Sequence, residues 1–183
     1  MSLSRKTSDA FINNILKTGK CSELLYHQFN HIVDVGYVDY GFITREIAYL
    51  EGLRDISSTK KESQYKHKPL KGLWHKHFFG AQFLGFNIYN QLGLDYGTNK
   101  LRQILMEIFE KHNVKEGDLF TEELSQEFSH TIVQGSLVER SKASKLTGDW
   151  IIYAKQESGN YYLTFASHHE NDKIVYERIK KYL

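Results

Sequence analysis

The stretch DWIIYAKQESGNYYLTFAS, residues 149–167, decides the fold class. Trp150, Ile151, Ile152, Tyr153 and Ala154 form a β-prone run, Glu157 to Asn160 supplies turn chemistry, and Tyr161 to Phe165 supplies a return strand. The spacing predicts a β-hairpin from Asp149 to Ser167. Beyond it, the polar run His168, His169, Glu170, Asn171 and Asp172 leads into Ile174, Val175 and Ile179, which are spaced as a closing amphipathic helix. A lone hairpin is marginal in water, so this one needs further strands or a helix over its apolar face.

Most of the chain before the hairpin reads as helix. Ser8 or Asp9 is placed to cap a first helix carrying Phe11, Ile12, Ile15 and Leu16, with Gly19 at its end. Ser22 caps a second, in which Leu24, Leu25, Phe29 and Ile32 recur at helical spacing before Gly36. Tyr37 to Ile43 reads as a strand, followed by a helix opened by Thr44 and carrying Ile47, Leu50 and Leu53. Pro69 suits the first turn of a long helix reaching Leu92, with one apolar stripe through Leu70, Leu73, Trp74, His77, Phe78, Ala81, Leu84 and Ile88. Phe79, Phe83 and Phe86 give it a second apolar face, so it is expected at the centre, covering the hairpin. Thr98 starts a helix with Leu101, Ile104, Leu105, Ile108 and Phe109 inward. Thr121 opens another with Leu124, Phe128 and Ile132, stopped at Gly135 and followed by a flexible basic stretch from Arg140 to Lys145. The fold class expected is α+β: a mostly helical N-terminal two-thirds packed on a small antiparallel sheet that includes the hairpin, then a C-terminal helix.

The bulk numbers fit one domain spanning residues 1–183. Hydrophobic residues make up 40% of the chain and charged residues 25%, a globular balance that excludes general disorder. The net charge of +2 is too mild to imply nucleic acid by itself, so the placement of charge has to carry any such argument. Cys21 is the only cysteine, so no internal disulfide demands an oxidising compartment, and no apolar signal core follows Arg5 and Lys6. A cytoplasmic protein is expected. The uncharged run from His77 to Leu94 approaches the length of a membrane span, but Gln82, Asn87, Asn90 and Gln91 are expensive in lipid, and no membrane association is expected.

Charge bias is strongest from Lys60 to His77, where Lys60, Lys61, Lys66, Lys68, Lys71 and Lys76 accompany three histidines against the single acid Glu62. Lysines track phosphates and the interleaved Tyr65 and Trp74 are of the type that stacks on unpaired bases, although Trp74 falls on the core stripe. A solvated loop is the competing reading. On a helix His75 and His77 would diverge by roughly 200°, and only an extended backbone would let both face one ligand. Lys71 and His75 would align as a cationic spot. His168 and His169 lie where the chain leaves the hairpin, beside a helix N-terminus suited to an anion. His27 and His31, four apart on the second predicted helix, are a weaker candidate metal pair, since the internal glutamate of HExxH is missing.

These residues define the sharpest expectation, a metal-independent nuclease acting on RNA. His75 or His77 and His168 or His169 would serve as base and acid, and Lys66, Lys68, Lys71 and Lys76 would hold phosphate, with no cofactor. The alternatives are a non-enzymatic regulatory or protein-binding domain and a metal-dependent enzyme centred on His27 and His31. The first requires the two histidine pairs to converge.

Overall fold

A computed structural model describes residue 9 and residues 14–35, 39–80, 83–94 and 99–183. The chain forms two compact units, Met1–Ala81 with Ser144–Leu183, and Gln82–Ala143. The first contains a five-stranded sheet in the order β1-β5-β4-β3-β2, made of β1 (Lys20–Cys21), β2 (Ser63–Gln64), β3 (Trp74–Phe78), β4 (Asp149–Gln156) and β5 (Gly159–Ala166). The fold is α+β, as expected. The hairpin is β4 and β5, paired from Trp150↔Ala166 to Gln156↔Gly159 with an irregularity at Ile152/Tyr153. The sheet is antiparallel from β2 to β5, and the short parallel edge β1 makes it mixed.

Helices cover both faces. On one side lie α1 (Glu23–Val35) and α2 (Tyr40–Leu50), whose Leu25, Phe29, Ile43 and Ile47 pack with Phe78, Ile151, Tyr153, Tyr162 and Phe165. On the other, Val175 and Ile179 of α7 (Asp172–Lys180) pack with Leu70, Ile152, Leu163 and Ala166. The alternation of β4 divides Ile151 and Tyr153 from Trp150 and Ile152. Local caps agree with composition: the hydroxyl of Ser22 accepts from the Leu25 amide, and the side chain of Asn171 accepts from the Lys173 amide.

Several expectations are corrected. The long helix from Pro69 to Leu92 does not form. Pro69 lies in the loop between β2 and β3, Gly72 takes a positive φ of 94° that a helix would refuse, and residues 74–78 are β3. The cover over the hairpin therefore comes from α1, α2 and α7. Of the strand expected at Tyr37 to Ile43, the described residues 39–43 are instead the cap and start of α2, where the Asp39 carboxylate accepts from the Gly41 amide. Tyr37 itself, Ser8 and Thr98 lie outside the described residues.

The second unit contains α3 (Leu84–Leu92), α4 (Lys100–Lys111), α5 (Glu122–His130) and α6 (Ser136–Lys142). Thr121 caps α5 as expected. Gly135 does not stop the helix, because a π-helical segment, Thr131–Gly135, carries it on into α6. Arg140 is consequently a buried helical residue whose Nε donates to Asn87 Oδ1 at 3.0 Å, and not part of a flexible basic stretch. In α4 Ile108 is buried, while Leu101 is exposed.

Candidate functional site

The extended backbone of β3 puts His75 and His77 on the sheet face that carries α7, with Lys76 on the other. His77 is register partner to Trp150, Trp150 is partner to Ala166, and the chain reaches His168 two residues later. The two histidine pairs therefore meet at one end of the three central strands. Ring centroids are 5.7 Å apart for His75 and His77, 6.0 Å for His77 and His168, and 5.6 Å for His168 and His169. Trp150 sits among them, 5.2 Å from His75 and 4.9 Å from His168. Tyr65, leaving β2, closes the group at 4.8 Å from His75.

His77 has a defined tautomer. Its Nδ1 lies 3.1 Å from the Gly148 carbonyl, which can only accept, so Nδ1 carries the proton and Nε2 keeps a lone pair. At 7% exposure, burial pushes its pKa down to about 4 against the pull of that carbonyl, and the neighbouring His75, Lys60 and His168 push it the same way. The ring is neutral at physiological pH. Burial also holds His75 below its ordinary value, with His168 assisting and the Asp172 carboxylate opposing. His75 Nε2 is 3.1 Å from the Ser63 hydroxyl.

His168 and His169 are exposed, and the backbone N–H of His168 donates to Asp149 Oδ1 at 3.2 Å. Burial raises the pKa of Asp149, while hydrogen bonds from His168 and Ser167 and the charges of His168 and His169 lower it. Three buried polar atoms facing this cluster, Tyr65 Oη, His75 Nδ1 and Trp150 Nε1, have no hydrogen-bond partner among the described residues. Each such buried atom costs about 1–3 kcal/mol, so three of them beside the histidines make this the most polar-strained part of the sheet face.

The lysines divide. Lys66, Lys68 and Lys71 are exposed on the loop between β2 and β3, whose first and last residues, Tyr65 and Leu73, are joined by a backbone hydrogen bond of 2.9 Å. Lys76 does not belong with them. It is 0% exposed on the opposite face, 3.2 Å from Glu46 and hydrogen-bonded to Ser57, Thr59 and the Lys60 carbonyl, so it cannot reach a phosphate at the histidines. His27 and His31 are exposed on α1, and no group of three or more metal-ligating side chains assembles among the described residues. Asp149, Trp150 and Asp172 were not singled out as site residues from sequence. The signal for Trp150 was its position at the open end of the hairpin, the second residue of β4 and paired with Ala166.

Because the fold prefers neutral His77, the unfolded chain takes up a proton first as pH falls. The stability from this group is complete above its ordinary value of 6.5 and lost as pH falls toward about 4. Chemical denaturation at pH 7 and pH 4.5 should show a loss of about 2–3 kcal/mol, with His77→Gln flattening that dependence. An unchanged pH slope in the variant would remove this account of His77.

Among the described residues, no helix is long and apolar enough to cross a membrane. No protein family matches the chain, no characterised protein is significantly similar in sequence, and no solved structure matches it, which leaves the histidine cluster's own geometry as the basis for assigning a function.

Proposed function

We propose that the protein cleaves single-stranded RNA without a cofactor, through the cluster of His75, His77 and His168. The observation that carries this reading is the neutral His77, with Nδ1–H held by the Gly148 carbonyl and Nε2 left as a base, one ring away from the exposed His168. In the step proposed, a ribose 2′-hydroxyl attacks the adjacent phosphorus and His77 Nε2 takes its proton. The bond from phosphorus to the 5′-oxygen breaks, and protonated His168 gives its proton to that oxygen. The products are a 2′,3′-cyclic phosphate and a free 5′-hydroxyl. Lys66, Lys68 and Lys71 offset the phosphate charge, and Trp150 and Tyr65 offer faces on which bases stack. Such a protein acts in the cytoplasm, where Cys21 stays reduced.

The test is cleavage of a short single-stranded RNA in excess chelator. His77→Ala and His168→Ala should each lower the rate about 100-fold, and an oligonucleotide with a 2′-deoxyribose at the scissile position should resist. Wild-type rates in both histidine variants would overturn the reading. Salt-sensitive RNA binding without cleavage would replace it with a binding protein.

A further inference from the structure

With Lys76 sealed on the other face of the sheet, the phosphate at the histidines needs a different cation, and Lys60 is placed to be it. Residues 59 and 60 run along the outer edge of β3 beside His77. Thr59 Oγ1 donates to the His77 carbonyl at 2.8 Å, and Thr59 bridges Leu146, two residues before the Gly148 that holds the His77 ring. Buried Lys76 donates to the Lys60 carbonyl at 2.6 Å, and the Lys60 N–H donates to the Leu146 carbonyl at 3.4 Å. The backbone of Lys60 is therefore fixed while its side chain stays exposed. Its charge reaches the His77 ring, where it opposes protonation.

The carboxylates around this point are engaged elsewhere. Asp149 accepts from the His168 N–H at 3.2 Å and from Ser167, and Glu170 pairs with Arg178 at 2.6 Å. Asp172 acts on His75 and Tyr65. Lys60 and His168, both exposed, are left as donors to an anion beside His77. His77 Nε2 is not one of the sealed, unpartnered atoms of the described residues, so a ligand from solvent meets it. The loop bearing Lys66, Lys68 and Lys71 enters β3 at Trp74, roughly 10 Å of strand from His77, which suits those lysines to phosphates flanking the reacting one.

We propose that Lys60 and His168 form a binding site for one phosphate group, its nonbridging oxygens on Lys60 Nζ and the His168 ring, with His77 Nε2 accepting from a hydroxyl beside them. A catalytic role for Lys60 rests on the cleavage reading, whereas the phosphate site is measured without cleavage. NMR would follow the imidazole C–H signals of His77 and His168 as inorganic phosphate is added to the whole chain. Phosphate should shift both signals. Lys60→Ala should weaken its binding about tenfold, Lys60→Arg should retain it, and joint Lys66→Ala, Lys68→Ala and Lys71→Ala should leave it within about twofold. The fold survives Lys60→Ala because the hydrogen bonds that fix this residue are made by its backbone. On RNA, Lys60→Ala should lower kcat about 100-fold at nearly constant KM, whereas the triple variant should raise KM and flatten the salt dependence. Phosphate binding through Lys60 without RNA cleavage would keep the site and remove the nuclease reading. Unchanged phosphate affinity in Lys60→Ala, or an equal loss in the triple variant, would overturn the proposal whatever the RNA assay shows.

Discussion

Glu46→Leu should destabilise the protein by about 3–5 kcal/mol, although the residue does not touch the histidine cluster. Glu46 and Lys76 form an ion pair of 3.2 Å with both side chains essentially removed from water. Ser57 donates to Glu46 Oε2 at 2.6 Å and Ser58 donates to Oε1 at 3.1 Å, so the carboxylate organises the loop entering the sheet as well as the ammonium. Removing it leaves a cation in a site where burial already outweighs Glu46 and holds the Lys76 pKa below its ordinary value. With Glu46 gone, that depression deepens. The unfolded state then binds the extra proton, and the deficit should shrink as pH rises from 7 to 10. Adding Lys76→Met should recover part of the loss, since an apolar chain of similar length removes the buried charge. Urea unfolding of the single and double variants measures this, and a Glu46→Leu loss below 1 kcal/mol would show that the pair is not a buried charge pair in solution.

Gly148→Ala should be nearly as damaging, at about 3 kcal/mol, and its effect should concentrate at the histidines. A Cβ at Gly148 would fall on the Phe78 carbonyl and within 3.0 Å of the Phe79 Cα. Both obstacles are backbone, so the strands must part. The carbonyl that moves is the one holding His77 Nδ1, and the ring should gain water and lose its fixed tautomer. NMR titration should find the His77 pKa displaced upward from about 4 toward its ordinary 6.5, together with lower thermal stability. A wild-type titration curve in Gly148→Ala would mean that the glycine does not set the environment of His77.

Residues whose neighbours are close in the chain were legible from the outset. The hairpin and the caps at Ser22 and Thr121 depend on local chemistry, and all appear in the structure. β3 was hidden by Lys76. An alternating strand should carry an apolar residue there, and a lysine in a buried slot makes sense only once Glu46, thirty residues earlier, is known to lie against it. Counting hydrophobic residues across that gap produced a helical stripe instead. The same lysine was therefore assigned to the phosphate surface, which, of the four lysines so assigned, only Lys66, Lys68 and Lys71 remain exposed to serve. The nuclease reading requires the histidine pairs to meet, and the sequence alone does not show their meeting. It arises because β3 is a strand beside β4, so that His75 and His77 share a face, and not because a helix lies across the hairpin.

The place where the second unit interrupts the sheet has a kinetic consequence. β4 and β5 are joined by a two-residue turn, whereas β3 and β4 are adjacent strands separated by about 70 residues of chain, from Phe78 to its partner Asp149. Closing a coil of that length costs about 3 kcal/mol more than closing the turn. The late-forming seam runs between His77 and Trp150. The hairpin is thus expected to assemble early and β3 to join it late, so the aromatic and imidazole cluster becomes complete only in the final stage of folding.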